Sequence, residues 1–529
     1  MKRKQERELR ARPPGKAGKA AGDDTLQIMK EYALPRSFPK AVLDEARQVS
    51  AGGLSEGDFK GRLDLRRKFI FTCDPETARD YDDALSLDSD RNGNRVLGVH
   101  IADVSHYVKP GSALDREAYR RGTSVYLCDR VVPMLPESLS NGVCSLVPNE
   151  DRLAFSVFLT FDAKGRQVKR SFAKSVIRSK ARFTYAEVMD VISGGGASLG
   201  RRERKTIREI AAIAQALRAE RFAAGGLDIE IPEAELVLDG AGHLKEVVSR
   251  PYDESHQMIE ECMVAANEAV AKELWTHGIK ILARLHEPPD PEKMLQLRAE
   301  LRGIGVKAGN FENPKVFSRF LKDIKSNPLY PTISMMVLRS MKKAVYDSTS
   351  IGHFGLAKKY YAHFTSPIRR YPDLTLHRQL MEYISKRSPK VAPALLARWA
   401  EHASERETVA TEAERALADI KKFKFLKAQV ESRQCREYDA VVSKVMPFGC
   451  FVDIPEIAVS GLVHISLLST SYLRYNESDC TLSAPGGVRW QAGDAIRVVV
   501  GNVDLEARKV DFIPVFDEGP GGVKRRRRR

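Results

Sequence analysis

The clearest chemical signal in the sequence is a group of four aspartates. Asp74 follows an apolar run, and Asp80, Asp82 and Asp83 come directly before the next apolar run. Carboxylates this close repel one another strongly unless a cation neutralises them. An all-oxygen ligand set suits Mg²⁺ or Mn²⁺ rather than Zn²⁺, and two such ions can activate water and stabilise the leaving oxygen of a phosphodiester. On spacing alone, a solvated acidic loop or a Ca²⁺ loop is an alternative, although the turn glycine and closing Glu of an EF-hand are absent.

Apolar periodicity predicts the elements that must position this cluster. Strands are predicted over residues 68–73, 84–87, 96–102, 152–161 and 169–177. From residue 185 the period becomes helical, and helices are predicted over 186–192, 205–222, 256–277, 291–301, 330–346, 374–386 and 392–431. Residues 434–515 return to short strands with turn signals, as a small barrel would. The predicted fold class is α+β, with a large mixed domain before a compact β-domain.

Composition limits the classes of protein that fit. The 529 residues are too many for one core, so three or four folding units are expected. No apolar stretch is long enough to cross a bilayer, and no apolar segment follows the basic N-terminus. The seven cysteines are scattered without a C-x-x-C pair, which argues against zinc and disulfides. We therefore expect a cytoplasmic protein with no membrane partner.

Most of the net charge of +16 lies at the two ends of the chain. Residues 1–22 carry eight Lys/Arg and two Glu, and residues 524–529 add six cations, which leaves +4 for the remainder. Such segments bind polyanions without reading sequence, but a solubilising role explains them equally well. We predict disordered basic tails over residues 1–25 and 516–529, and a short helical lead-in over residues 26–62.

Further motifs follow the aspartates in a fixed order. They are 99–105 (VHIADVS), 121–126 (RGTSVY), 133–136 (PMLP), 139–146 (LSNGVCSL), 259–263 (IEECM), 353–356 (HFGL) and 361–373 (YAHFTSPIRRYPD). Together with the aspartate spacing, they resemble the catalytic domain of the ribonuclease II/R family, and the resemblance extends over about residues 28–515. It implies a ribonuclease II-type catalytic domain over residues 63–430.

The resemblance implies 3′→5′ hydrolysis of RNA, processive and without sequence preference, that releases nucleoside 5′-monophosphates. It makes all four aspartates ligands of Mg²⁺, for which Mn²⁺ is expected to substitute, and it adds Arg369 to Asp82 and Asp83 as catalytic residues. A fixed guanidinium suits charge on a phosphate, and Arg370 beside it is a second candidate for a phosphate contact. Aromatic faces hold bases without reading sequence. The residues that match RNA-binding positions of the family are Tyr126, Tyr185, Glu260 and Glu414.

The C-terminal region, residues 434–515, resembles an S1-type RNA-binding domain, which is an OB-fold barrel. Two predicted strands flank a Pro-Phe-Gly turn, and the third strand ends near residue 464. The resemblance places Phe448, Phe451 and His464 on the RNA-binding face. Filling of a small core is the alternative role for these side chains.

Two features depart from the family pattern. Ile229 stands where the family usually has a Phe that stacks on RNA, so the grip on short RNA or the length of the end product is expected to differ. About sixty residues precede Arg62, too few for a cold-shock-type barrel plus the tail. We therefore expect most of the N-terminal cold-shock domains to be missing, and with them part of the wall around the RNA.

Three functions are weighed. The first is the exoribonuclease, acting on single-stranded RNA or RNA with a 3′ overhang, as a monomer, with contacts to the ribosome or the degradation machinery through the basic tails. The second is a catalytically silent RNA-binding protein, which would be expected to have lost some aspartates or Arg369, whereas this chain keeps them all. The third is a metal-dependent endonuclease, which alone would cut circular RNA.

Overall fold

The computed structural model describes residues 19–229, 234–249, 252–387, 389, 391–433, 435–485 and 487–516, with side chains from residue 24 onward. Residues 1–18 and 517–529, which hold most of the predicted basic tails, lie outside the described residues. The prediction that the N-terminal tail is disordered up to residue 25 is wrong for its last part, because a helix begins at Lys19. Asp24 of this helix forms ion pairs with Lys421 (3.1 Å) and Lys424 (2.5 Å), and these contacts order the segment.

The first part of the chain builds one mixed sheet. Its elements are α1 (Lys19–Glu31), α2 (Lys40–Ala51), α3 (Glu56–Phe59), β1 (Leu63–Asp64), β2 (Ile70–Cys73), β3 (Asp83–Ser89), β4 (Arg95–Ala102), α4 (Val104–Tyr107), α5 (Ala113–Arg121), β5 (Val125–Tyr126), β6 (Val131–Val132), a π-helical turn (Ser138–Val143), β7 (Asp151–Phe161), β8 (Gln167–Arg178) and β9 (Ala181–Phe183). Seven strands form the sheet in the order β1-β8-β7-β4-β3-β2-β9, and only the edge pairs β1–β8 and β2–β9 are parallel. The five strands predicted from the sequence all belong to it.

Both faces of the sheet are covered, which explains why its central strands are apolar along their length. Strand β4 is buried over its last six residues. On one face Phe71, Leu97 and Val157 pack under long helices from later in the chain. On the other face Ala84 and Leu153 pack with residues of α2, α4 and α5. The sheet is therefore the rigid platform from which the aspartates emerge.

The second part of the chain is mostly helical. Its elements are α6 (Tyr185–Ile192), α7 (Arg201–Ala223), β10 (Ala234–Leu238), β11 (Leu244–Ser249), α8 (Glu254–Thr276), β12 (Ala283–Leu285), α9 (Pro291–Gly303), α10 (Pro314–Asp323), α11 (Tyr330–Ser340), β13 (Val345–Asp347), α12 (Tyr371–Ile384) and α13 (Pro393–Glu431). The predicted helix 330–346 is wrong at its end: it stops at Ser340, and Tyr346 lies in strand β13, paired with β12. The side chain of Tyr346 is buried there and bonds to His363, a long-range contact that overrides the local helical pattern.

The third part is a closed barrel, as predicted. Its elements are β14 (Tyr438–Met446), β15 (Gly449–Ile454), β16 (Val459–His464), α14 (Ile465–Leu468), β17 (Arg474–Asn476), β18 (Thr481–Ser483), β19 (Arg489–Trp490), β20 (Ala495–Asp504) and β21 (Lys509–Val515). The barrel closes in the order β14-β15-β16-β21-β20, and β17–β19 form a separate small sheet. Phe423 and Leu426 of α13 join the barrel core, so this long helix anchors the barrel to the larger domain. Across the described part of the chain, no helix combines the length and apolarity needed to span a membrane.

Candidate active site

The aspartates lie in the connection between two neighbouring strands of the sheet. Strand β2 ends immediately before Asp74, and β3 begins at Asp83. Ser145 fixes the intervening loop, because its hydroxyl donates to the carbonyl of Arg79 (2.8 Å) and accepts from the amide of Tyr81 (3.0 Å). The loop backbone is therefore held from a segment more than sixty positions away.

Asp82 links this loop to the segment that carries the two arginines. Its Oδ1 accepts a hydrogen bond from the amide of Ile368 (3.0 Å), and its Oδ2 lies 3.7 Å from Nε of Arg369. The guanidinium of Arg369 also donates to the hydroxyl of Ser366 (3.1 Å). The side chain of Arg369 is still 43% exposed, so it faces solvent beside the carboxylates and is free to take a phosphate oxygen.

Burial and mutual repulsion disfavour ionisation of the aspartates. Burial, and then the charge of Asp83, raise the pKa of Asp74 to about 8. Burial raises the pKa of Asp83 to about 6, although Arg369 opposes the shift. The pKa of Asp82 is also raised by burial, against the influence of Arg369 and the amide of Ile368. Arg369 alone does not offset the cost of ionising these aspartates, so a further positive charge would stabilise their ionised forms.

The residues present fit a hard divalent cation in their chemistry. All four candidate ligands are carboxylates, and Oδ2 of Asp74 is buried without a hydrogen-bond partner among the described residues. Within those same residues, no three acidic, imidazole or thiol groups already converge into a ligand shell. Because like charges separate when no cation lies between them, binding of the ion would itself draw the carboxylates together.

Arg370 occupies a different environment from Arg369. Its guanidinium donates two hydrogen bonds to Asp373, at 2.9 and 2.7 Å, and the carboxylate of Asp373 is fully buried. Asp373 also accepts from the amide of Ser366 (2.8 Å). The structure thus places Arg370 where it holds the shape of the loop, and Arg369 where it reaches the site.

Tyr126 lies at the edge of the aspartate site. The residue is 43% exposed, and its hydroxyl is 3.5 Å from Oδ2 of Asp80. The amide of Tyr126 donates to Oε1 of Glu414 (2.7 Å), and burial raises the pKa of that carboxyl group. Glu414 therefore positions the strand that carries Tyr126.

Tyr185 and Glu260 are connected through His256 and Tyr252, which contact each other. The ring of Tyr185 stacks on the imidazole of His256, with centroids 3.9 Å apart and an interplanar angle of 14°. Burial is the largest cause that raises the pKa of Tyr185, and the charges of Cys73, Asp83 and Asp74 raise it further. Glu260 hydrogen-bonds to the hydroxyl of Tyr252 and lies 3.8 Å from Arg221. One face of the Tyr185 ring is thus occupied, and a base would have to use the other face or the edge.

Ile229 packs against the apolar core formed by α9, α10 and α11. Leu227, two positions earlier, donates its amide to the carbonyl of Gly355 (2.8 Å), which ties this segment to the 353–356 motif. The side chain of Ile229 therefore contributes to packing at the position where the family pattern has an aromatic residue.

The barrel presents its three predicted residues together on the outer surface. Phe448 is 45% exposed and meets Phe451 edge to face, with centroids 6.1 Å apart. His464 is paired with Gly449 across β15 and β16, so it lies beside the turn that carries Phe448. Cys450 and Val452, on either side of Phe451, fill the core instead. The alternative that the aromatics fill the core is thus wrong for Phe448.

Sequence reasoning missed the residues that hold this site in place. Ser145, Ser366 and Asp373 lie inside the motifs 139–146 and 361–373, but their partners are distant in sequence or are backbone groups, and no local pattern reveals them. His256 carries no signal beyond its place near the start of α8. Glu260 carries a signal only through the family motif around it.

Comparison with known proteins agrees with this geometry. Residues 62–386 match the RNB domain and residues 436–513 match the S1 RNA binding domain, and together with the ribonuclease R relatives this pair of domains supports an exoribonuclease. Ribonuclease R of Thermotoga maritima is 40% identical over 96% of this chain and 73% of its own length, and that of Escherichia coli is 35% identical over 93% and 62%. The chain belongs to the ribonuclease R family, whose members are 3′→5′ exoribonucleases that degrade RNA.

Solved structures give the same result for the fold. Ribonuclease R of Mycoplasma genitalium, in complex with ribose-methylated single-stranded RNA, is 27% identical and superposes with a TM-score of 0.85 over 93% of this chain and 78% of that one. Its complex with double-stranded RNA superposes with a TM-score of 0.81. The chain spans between 62% and 84% of the length of these relatives.

Proposed function

We propose that this chain hydrolyses RNA processively from its 3′ end, with little sequence preference, and releases nucleoside 5′-monophosphates. The observation that carries the proposal is the position of Asp82, which accepts from the Ile368 amide and lies 3.7 Å from the guanidinium of Arg369. This contact joins a carboxylate cluster to an exposed phosphate-binding group. Both are required to cleave a phosphodiester.

Asp74, Asp80, Asp82 and Asp83 would hold Mg²⁺, with Mn²⁺ as a substitute. When bound, such ions activate water and neutralise charge on the scissile phosphate. Two observations support this assignment. Oδ2 of Asp74 is buried without a hydrogen-bond partner among the described residues, and a cation would supply one. The pKa values of Asp74, Asp82 and Asp83 are raised, and a bound cation would lower them again.

The protein groups then have separate roles in one hydrolytic step. Arg369 binds the non-bridging oxygens of the terminal phosphodiester, and Asp82 and Asp83 orient the site around the water that attacks phosphorus. The bond from phosphorus to the 3′-oxygen breaks, and that oxygen leaves as the 3′-hydroxyl of the shortened RNA. The phosphate remains on the released nucleotide, which is why the product is a 5′-monophosphate.

Aromatic side chains hold the RNA during this step. Tyr126, whose hydroxyl lies beside Asp80, would contact the terminal nucleotide, and Tyr185 would contact a neighbouring one. Glu260 and Glu414 would support these tyrosines, and Glu414 does so by accepting a hydrogen bond from the backbone amide of Tyr126. Phe448, Phe451 and His464 would bind RNA on the barrel before it reaches the site.

The substrate proposed is single-stranded RNA, or RNA with a 3′ overhang. The Mycoplasma genitalium relative has been solved with both single- and double-stranded RNA, so contact with a duplex near an overhang is compatible with this fold. A silent RNA-binding protein is the second candidate, but retention of all four aspartates and Arg369 disfavours it.

The test uses linear single-stranded RNA, the same RNA as a circle, a duplex with a 3′ overhang, and DNA, each with Mg²⁺ or EDTA. We expect 5′-monophosphates from the linear RNA and the overhang substrate with Mg²⁺, no products with EDTA, and an intact circle. Cleavage of the circle would identify an endonuclease instead. Binding without cleavage of any substrate would identify a silent RNA-binding protein.

A further inference from the structure

A cleft with a basic lining separates the catalytic domain from the barrel. One wall consists of α9 and α11, and the other consists of β14 and the β17–β18 hairpin. The walls meet at one end, where a Cβ atom on Gly303 would come within 2.2 Å of the carbonyl oxygen of Asp479. The cleft encloses about 290 Å³, room for roughly ten water molecules at the volume that water takes in the liquid.

Three exposed cations line this cleft: Lys293 on α9, Arg339 on α11 and Lys444 on β14. None of them forms a salt bridge with any residue in the described part of the chain. Two acidic residues also line it. Asp479 is paired with Arg489 (3.2 Å), and Glu300 hydrogen-bonds to Gln296 (3.2 Å). Three cations against the one carboxylate without a cationic partner leave an excess of two positive charges.

The positive charge of the lining also affects the pKa of Glu300, one of the two acidic residues in the cleft. Burial raises the pKa of Glu300, and Lys444 and Arg339 both oppose that shift, so their positive potential reaches the interior of the cleft. Cations that ordinarily serve solubility point away from one another into water. Here residues of both domains point their positive charge into one shared space, which is the arrangement expected for a bound polyanion.

The cleft is continuous with the aromatic face of the barrel. Lys444 is the cross-strand partner of Phe451, which packs edge to face with Phe448. On the opposite wall, Ile304 and Met336 belong to the apolar core against which Ile229 packs. The cleft thus lies between the RNA-binding face of the barrel and the segment at which this chain lacks the family's aromatic residue.

We propose that this cleft binds the sugar-phosphate backbone of single-stranded RNA upstream of the nucleotides in the active site, through Lys293, Arg339 and Lys444. The inference rests on the proposed function, since it requires an RNA substrate. It assigns to the domain boundary a grip on the RNA backbone that does not depend on base stacking. Long RNA reaches these cations, and very short RNA does not.

The test compares the full-length chain with the double variant Lys293→Glu/Arg339→Glu. The matched control is Arg91→Glu/Lys164→Glu, which reverses two cations in the β3–β4 and β7–β8 turns, at the end of the sheet opposite Asp83. Affinity is measured in EDTA for a hexanucleotide and for a single-stranded RNA of about thirty nucleotides. Cleavage of both is then measured with Mg²⁺. Thermal melting verifies that each variant is folded.

We expect the cleft variant to bind the long RNA about tenfold more weakly than the control does, with hexanucleotide cleavage changed less than about twofold. Its salt dependence should also weaken, by roughly 0.7 in the slope of log K against log salt for each phosphate that the variant no longer binds. A milder variant, Lys293→Gln/Arg339→Gln, should give a smaller change of the same sign.

Equal binding of long RNA by the cleft and control variants would overturn the inference and leave the cleft to another partner, such as an acidic protein segment. Equal losses for both RNA lengths would overturn it as well, because the effect would then lie in the active site. Failure of the unmodified chain to degrade either RNA would refute the proposed function instead, and the two failures are therefore distinguishable.

Discussion

The aspartate site and the barrel face both present side chains for RNA, but they hold them in opposite ways. At the aspartate site, Asp82 is bonded to the amide of Ile368, and Ser145 holds the loop from a third segment. On the barrel, Phe448 lies in the turn between β14 and β15, His464 ends β16, and both are exposed. The first arrangement uses long-range contacts, and the second uses only a local turn and the strands beside it.

This difference follows from what each region must do. Hydrolysis requires charges fixed in position relative to one phosphate, and Asp82 is accordingly held by the amide of the buried Ile368. Binding without sequence preference requires only accessible aromatic faces, because every base has a π-face. Changes at the aspartate site should therefore affect rate or folding, and changes on the barrel should affect affinity alone.

The largest effect is expected from Asp82→Asn. The amide keeps the shape and can still accept from Ile368, but it loses the charge beside Arg369 and at the metal site. We expect nucleotide release from end-labelled RNA to fall by at least about a thousandfold, with RNA affinity preserved. Because burial raises the pKa of Asp82, the metal-free variant should melt no lower than the unmodified chain.

Asp88→Asn is the matched control for this variant, because Asp88 lies on β3, the strand that directly follows Asp82, and pairs with Lys68 (2.5 Å) away from the site. It should leave nucleotide release unchanged. Undiminished release from Asp82→Asn would contradict the assignment of the site.

Substitution of Arg370 should lower the stability of the protein, whereas substitution of Arg369 should lower the cleavage rate. Arg370→Ala leaves the buried carboxylate of Asp373 without its partner, which should lower the free energy of unfolding by about 3 kcal/mol. Arg369→Ala removes an exposed group, so it should melt like the unmodified chain while cleavage falls about a hundredfold. Urea unfolding and initial rates measure the two quantities, and the reverse pattern would exchange the roles assigned to the two residues.

Much of this organisation could be predicted from the sequence, and the limits have physical causes. The strands and long helices follow from apolar periodicity, and the barrel face follows from alternation and a Pro-Phe-Gly turn within residues 438–464, both of which are local patterns. The aspartates form a local cluster that the sequence reveals, but their connection to Ile368 is 286 positions long and leaves no local trace. Only the family resemblance ranked Arg369 above Arg370 in the sequence, because no local pattern shows that the guanidinium of Arg370 meets Asp373 in the fold.

A smaller effect is expected on the barrel, from Phe448→Ala. Loss of one stacking face should weaken binding of single-stranded RNA about tenfold, or ~1.4 kcal/mol, with the maximal cleavage rate unchanged. Phe516→Ala is the control, because Phe516 is 47% exposed, close to the 45% of Phe448, but lies near Trp490. A fall in maximal rate, rather than in affinity, would break the distinction between the two regions.

The smallest effect concerns pH and the sheet beneath the site. His100 is fully buried on β4, where it bonds to Ser86 (2.9 Å) and Ser156 (2.7 Å), and burial lowers the pKa of its imidazole to about 3. The folded protein therefore holds His100 neutral, whereas the unfolded chain takes up a proton below about pH 6.5. Protonation favours unfolding, so stability is lost as pH falls.

From pH 6.5 to 5.5 this one group should remove about 1 kcal/mol from the free energy of unfolding. Urea unfolding at both pH values measures the loss of stability. The loss should be smaller by about 1 kcal/mol in His100→Gln than in the unmodified chain, because the contributions of all other groups are the same in both proteins. His464→Gln, which replaces the exposed imidazole of the barrel, is the matched control and removes no buried group. An equal pH dependence in His100→Gln and the unmodified chain would show that the imidazole is protonated within the folded sheet. The contrast between a tightly held catalytic platform and an open barrel face would then not extend to the sheet beneath the aspartates.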